Sequence, residues 1–196
     1  MLILASKSPT RKTLLANAGL RFSVAAAPID ERAIESRIGK ENADRAVLAE
    51  MLSRTKALAV AAENPGAAVI GADQTLDFGG KALHKPADRT EAAARLMEMA
   101  GTAHRLHAGV ALARDGAVLW SGVETATLTF KPFCRKTLDA VLDLEGDAIL
   151  DSVAGYRLEG PSVRLFSSIA GDYFTILGLP LLPLLAALER HAPEVF

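Results

Sequence analysis

The sequence predicts an α/β protein with a mixed, twisted sheet flanked by helices, and three observations carry that expectation. Short continuous apolar runs at residues 2–5 and 67–70 have the form of strands buried on both faces. Strand-like runs alternate with segments of helical period. Two long strand patterns, 106–113 and 118–130, meet at Asp115-Gly116, a favoured hairpin dipeptide.

The elements follow in order. After the first strand, Ser8 stands as an N-cap and Pro9 suits the first helical turn. Leu14, Leu15 and Ala18 give that helix its apolar face, and Gly19 stops it. Residues 21–26 read as a strand that ends in the loop Pro28-Ile29-Asp30-Glu31. A long helix is expected from Asn42 to Glu63, ended by Asn64-Pro65-Gly66. Its inward stripe is Leu48, Met51, Leu52, Thr55, Leu58 and Ala59, with Lys56 at the stripe's edge. The strand at 67–70 leads into Gly71-Ala72-Asp73-Gln74-Thr75, and Gly79-Gly80 turns the chain towards His84-Lys85-Pro86. Helices are expected at 90–100, 136–144 and 181–191, with a loop and strand over 155–166.

The chain has 196 residues, enough for one domain or two intimate lobes, and it is read as a single domain, 1–196. Half of it is hydrophobic, ample for a core, and the formal net charge is -1. That balance argues against a general nucleic-acid or membrane-surface binder, so any phosphate binding must come from local cations. No apolar run is long enough to span a bilayer, and no basic segment precedes an apolar stretch as in a signal peptide. The single cysteine, Cys134, permits no internal disulfide and suits a reducing, cytoplasmic setting.

The first strand–loop–helix unit aims backbone N–H groups at whatever lies over its loop, and the helix dipole favours an anion there. Ser6 and Ser8 add hydroxyls; Lys7, Arg11 and Lys12 add positive charge. Many α/β domains open on a Ser-capped helix with solvated cations, and charge alone favours that plainer account. Neither Walker nor dinucleotide-binding glycine spacing is present. Asp73, placed just after a buried strand, sits where α/β proteins put ligands, and could bind a metal or take a proton from water. It would serve equally well as a turn aspartate. Glu31 is a second acidic candidate, otherwise a solvated loop carboxylate. Lys56 and Lys85 are lysines that could face phosphates, although surface lysines are the common case.

The order Ser-x-Ser-Pro-x-Arg after a strand, with Leu-Leu three residues on, resembles the opening motif of the Maf family of nucleotide pyrophosphatases. Ser6, Ser8, Pro9, Arg11, Leu14 and Leu15 stand in that motif. Asp30-Glu31, Lys56-Ala57, Gly71-Ala72-Asp73, Lys85-Pro86, Ala154-Gly155, Gly171-Asp172-Tyr173 and Gly178-Leu179-Pro180-Leu181 resemble further family motifs in the same order. The resemblance implies two lobes around a central cleft. It implies hydrolysis of nucleoside triphosphates between the α- and β-phosphates, yielding monophosphate and pyrophosphate, with a divalent cation (Mg or Mn). By that likeness Asp73 is the proton acceptor and, with Glu31, holds the metal, while Lys56 and Lys85 assist. Ser6, Ser8, Thr10, Arg11, Lys12, Gln74 and Glu159 are the substrate-binding candidates. His84 departs from the usual glycine before Lys-Pro, Ala108 from a common threonine, and Lys12 from a frequent second arginine.

Base preference is read from three positions. Gln74 and Glu159 resemble the branch acting on 7-methylguanosine triphosphate, whereas Thr10 fits neither that branch nor the pyrimidine one. The expected substrate is therefore a modified or non-canonical nucleotide of the 7-methyl-GTP type. The alternatives are dTTP and UTP, or a non-catalytic, nucleotide-binding regulator of septum formation. A small-molecule nucleotide is the expected partner, with no nucleic acid and no membrane; a homodimer is common among such proteins.

Overall fold

A computed structural model describes residues 1–38 and 44–196. Asn42, the expected start of the long helix, lies outside the described residues. The chain forms two compact units. The first comprises Met1–Gln74, His107–Thr125 and Asp172–Phe196, and the second Thr75–Leu106 and Ala126–Gly171. Seven strands are described: β1 (Leu2–Ala5), β2 (Ser23–Val24), β3 (Ala68–Phe78), β4 (Lys81–Leu83), β5 (Ala103–Arg114), β6 (Ala117–Phe130) and β7 (Phe166–Ala170). Their hydrogen-bonded order is β2-β1-β3-β5-β6-β7, with β4 pairing β3.

The sheet is mixed. β1 runs parallel to β2 and to β3, with Leu2 to Ala5 opposite Ala68 to Gly71, whereas β4 is antiparallel to β3 and β7 to β6. The α/β expectation therefore holds. The turn between β5 and β6 is the expected one. Asp115 at φ 49° and Gly116 at φ 77° are the two left-handed residues of a tight hairpin.

The helices are α1 (Pro9–Asn17), α2 (Glu31–Ile38), α3 (Arg45–Glu63), α4 (Arg89–Met99), α5 (Arg135–Glu145), α6 (Tyr173–Ile176) and α7 (Leu181–His191). In the first unit, strand alternation divides the core in two. Leu2 and Leu4, Ile70 and Ala72, and Val110 and Leu112 join Leu14 and Leu15 of α1 and Leu184 and Leu188 of α7. Ile3 and Ala5, Val69, and Ala111 and Ala113 join Ala57, Val60 and Ala61 of α3. The sheet is thus covered on both faces, which is why its strands read as unbroken apolar runs.

In the second unit, Phe130 stacks on Phe166 with ring centroids 4.4 Å apart, and Tyr156 meets both edge-on. His104 is buried here, its Nε2 2.6 Å from the Tyr156 hydroxyl. Burial pushes its pKa down to about 4, so it packs as a neutral ring.

Several expectations need correction. The strand at 67–70 does not stop before Asp73. It runs to Phe78, because Asp73 and Thr75 are buried despite their polarity, and Asp73 therefore lies inside a strand. The strand expected at 21–26 is only the two residues of β2. Glu31 is not in a loop. It opens α2, whose first turn is capped by the Asp30 carboxylate accepting from the Ala33 N–H at 3.0 Å. The strand expected within 155–166 begins only at Phe166, after a 3₁₀ turn over Pro161–Leu165. On α3 the inward face is Leu48, Ala49, Leu52, Ser53, Lys56, Ala57, Val60 and Ala61, so Lys56 is central to the buried stripe. Met51 is exposed. Among the described residues, no helix is long and apolar enough to cross a membrane.

Candidate functional site

The site in the first unit starts from a missing side chain. Gly71 lies on the β3 face that meets α3, and a Cβ there would fall 2.0 Å from the Ser53 carbonyl oxygen and 2.6 Å from the Ala57 nitrogen. Gly109 on β5 does the same further along, where a Cβ would fall 2.2 Å from the Ala49 carbonyl oxygen. Glycine at both points lets the helix backbone rest directly on the sheet. Ser53 and Ala57 are one helical turn apart, and Lys56 shares their face. Asp73 is two residues beyond Gly71, hence on the same strand face. The close approach therefore aims the lysine at the aspartate.

Lys56 Nζ donates to Asp73 Oδ1 at 2.5 Å and lies 2.8 Å from Glu31 Oε1. The Lys56 and Asp73 side chains are 11% and 10% exposed, whereas Glu31 is 54% exposed. One ammonium thus joins a buried carboxylate to a half-exposed one. Burial pushes the Asp73 carboxyl up from its ordinary value, against the charges of Lys56 and Arg11. A carboxylate held in this way takes a proton more readily than one in water.

Arg11, in the first turn of α1, is the second cation whose charge acts on Asp73. Its Nη1 donates to the Ser6 hydroxyl and to the Ala72 carbonyl, each at 3.0 Å, and its Nε donates to the Gly178 carbonyl at 2.7 Å. Burial works against its charge, and Asp73 and Glu31 help to hold it. Ser8 caps α1 as expected, its hydroxyl accepting from the Arg11 N–H at 3.4 Å, while Ser6 Oγ accepts from the Ser8 N–H at 3.3 Å. Thr10 and Lys12 are half-buried on α1. Arg11 is therefore a cross-link between α1, β3 and the loop before α7 as well as a cation. A lysine has one point charge on a flexible stem and cannot serve those three acceptors together. Arg11→Lys should lower stability by about 2 kcal/mol, the scale of a hydrogen bond to a charged group. It should also reduce turnover. Thermal unfolding and steady-state rates measured together check both.

Gln74 follows Asp73 but points to the opposite strand face. Its amide donates to the carbonyls of Thr175 and Ile176, at 3.2 and 3.0 Å, so it anchors α6. The second unit carries the remaining candidates. Lys85 is exposed between β4 and α4. Glu159 is exposed, with the Arg157 guanidinium 3.4 Å from its Oε1. Sequence reasoning missed Arg95, buried on α4 with its hydrogen bonds directed into loops. Its helical spacing with Ala92, Leu96 and Met99 was the available signal.

A family model described as Maf-like protein matches residues 1–191. The chain belongs to the Maf-like family. Its relatives include a protein named 7-methyl-GTP pyrophosphatase from Brucella suis, 48% identical across 97% of this chain and 96% of that protein. Another, named nucleoside triphosphate pyrophosphatase, from Nitrobacter winogradskyi, is 50% identical across 97% of this chain and 93% of that protein. A third, from Rhizobium etli, carries the name 7-methyl-GTP pyrophosphatase and is 48% identical across 96% of this chain and 95% of that protein. In this Maf-like protein the motif residues of the first unit form two contacting groups, Ser6 with Arg11 and Glu31 with Lys56 and Asp73, and Arg11 also bonds the Ala72 carbonyl next to Asp73.

Proposed function

We propose that this Maf-like protein hydrolyses nucleoside triphosphates between the α- and β-phosphates, with a preference for 7-methyl-GTP. The observation that carries the reading is the Lys56 ammonium shared by Asp73 and Glu31. The names of the Brucella, Nitrobacter and Rhizobium relatives support it. Asp73 is the group that takes a proton from the attacking water. Arg11 offers a guanidinium suited to a phosphate oxygen, and Lys85 adds a further cation by the likeness of its Lys-Pro motif. Such charge is needed because a triphosphate repels an incoming nucleophile.

A divalent cation fits this donor set. Asp73 and Glu31 are hard oxygen ligands that already converge on one positive group. Magnesium typically takes one or two carboxylates and completes its shell with water and substrate phosphates. Asp73 and Glu31 would hold the ion, which supplies Lewis-acid polarisation of the phosphates. Before the ion arrives, Lys56 keeps the two carboxylates from repelling each other.

Glu159 carries the base preference in this reading. Its carboxylate can accept from the N1–H and exocyclic amine of a guanine and favours the positive charge of a 7-methylated ring. The exposed, unpaired Cys134 suits the cytoplasmic setting assumed here.

The test is a panel of 7-methyl-GTP, GTP, dTTP and UTP with magnesium, read by pyrophosphate release. Pyrophosphate and monophosphate should be the first products, chelation should stop turnover, and 7-methyl-GTP should give the highest kcat/KM. Glu159→Gln should narrow the margin over dTTP and UTP. Orthophosphate as the first product would overturn the bond assignment. Higher kcat/KM for dTTP or UTP would overturn the base assignment alone. Tight nucleotide binding without turnover would indicate a regulator.

A further inference from the structure

Lys85 presents a physical problem. Its side chain is exposed on a short connection between β4 and α4, and a lysine in such a place ordinarily samples many positions. The backbone around it is held from three sides, all within the second unit. Arg95, on α4, is 8% exposed, and its Nη1 donates to the His84 carbonyl at 2.5 Å and to the Val153 carbonyl at 2.9 Å. Its Nη2 donates to Glu91 Oε1 at 2.9 Å, and Glu91 Oε2 accepts from the Ala87 N–H at 2.8 Å. The carbonyl just before Lys85 and the N–H two residues after it are therefore tied to one ion pair, spaced i,i+4 along α4. Between them Pro86 is buried and fixes its own φ. Gly155 stands over it, where a Cβ would lie 3.8 Å from Pro86 Cγ.

Burying a guanidinium is costly, and here its donors go to the carbonyl just before one lysine, to the loop carbonyl of Val153, and to Glu91, which itself holds the backbone after that lysine. We propose that Arg95 is a positioning residue for Lys85, acting with Glu91 as a clamp on the backbone at His84 and Ala87. The inference rests on the reading that Lys85 serves the triphosphate. It also accounts for histidine at position 84. The clamp grips the carbonyl of that residue, and any side chain leaves the carbonyl in place. The same arginine holds Val153, so the stretch before Ala154-Gly155 is fixed with the lysine loop.

A double-mutant cycle tests the clamp. Lys85→Ala, Arg95→Met and Glu91→Ala are each measured alone, and the latter two again in the Lys85→Ala background. Pyrophosphate release gives kcat and KM, and thermal unfolding reports folding. Displacing a reacting group by about 1 Å can cost 10²-fold, so Arg95→Met should lower kcat by about 10- to 100-fold. Glu91→Ala, at a half-exposed side chain, keeps the fold and should lower kcat severalfold. In the Lys85→Ala background both should change kcat less than about twofold, because neighbours acting through one group are non-additive. Full multiplication of the losses would overturn the proposal, since a merely structural role lowers every background alike. So would near-normal kcat in both Arg95→Met and Glu91→Ala while Lys85→Ala is crippled. If Arg95→Met does not fold, the Glu91→Ala cycle decides by the same criterion. Near-normal activity of Lys85→Ala itself would overturn the role of the lysine, and that outcome is distinct from additivity.

Discussion

Asp73→Asn should fold normally and lose about two to four orders of magnitude in turnover, the usual cost of removing a general base. Asparagine matches aspartate in size, so β3 keeps its packing. Its amide oxygen still accepts from Lys56 Nζ, now at 2.5 Å from Oδ1. Glu31, 2.8 Å from the same ammonium, remains as its counter-charge, so the lysine is not left buried without a partner. What disappears is the negative charge needed to take a proton and to hold a cation. Thermal unfolding should therefore shift by only a few degrees while kcat collapses, and activity and melting measured on one preparation separate the two effects. Turnover close to wild type would move the proton acceptor elsewhere, with Glu31 the first place to look.

Gly71→Ala should damage both stability and activity. The added Cβ would sit 2.0 Å from the Ser53 carbonyl oxygen, 2.6 Å from the Ala57 nitrogen and 2.9 Å from the Ala57 Cβ. Two of these neighbours are backbone atoms, which cannot rotate away. The strand and α3 must separate, at a cost of about 3 kcal/mol, the upper part of the usual overpacking range. For a chain of this size that corresponds to a fall in Tm of roughly 6–12 °C. The same separation moves Lys56 away from Asp73, because one is carried by the helix and the other by the strand. Well below the melting point, kcat should still fall by about 10²-fold, as expected when reacting groups are displaced by an ångström. An alanine variant with unchanged melting and unchanged kcat would show that the approach of α3 to β3 does not set the site.

The two variants mark different levels of legibility. Asp73 could be singled out from its place near a buried apolar run and from the motif around it. Nothing in the sequence marked Gly71 as the point of contact with α3, since its two nearest partner atoms, at Ser53 and Ala57, are backbone and carry no side-chain signal. The inward face of α3 was misread for a related reason. An apolar stripe selects Met51, Thr55 and Leu58, but the buried face includes Ser53 and Lys56. Ser53 satisfies its hydroxyl on the Glu50 carbonyl at 2.7 Å, and Lys56 satisfies its charge on Asp73 and Glu31. Buried polar groups with partners fit an interior that a hydrophobicity pattern assigns to apolar residues alone.

Local chemistry was determined by the sequence itself. Ser8 and Pro9 start α1, Asp115-Gly116 turns the hairpin, and alternating strand and helix patterns define the α/β class, because each depends on residues within a few positions of one another. The chemical types at the site were legible for the same reason, carried by short motifs. Only the tertiary structure decided which charges are paired, which face of β3 each residue takes, and what fixes Lys85. Those outcomes depend on contacts across 17 residues for Lys56 and Asp73, 61 for Arg11 and Ala72, and 58 for Arg95 and Val153. Such contacts form only when the backbones pack closely enough for hydrogen bonds to offset the desolvation of buried charge.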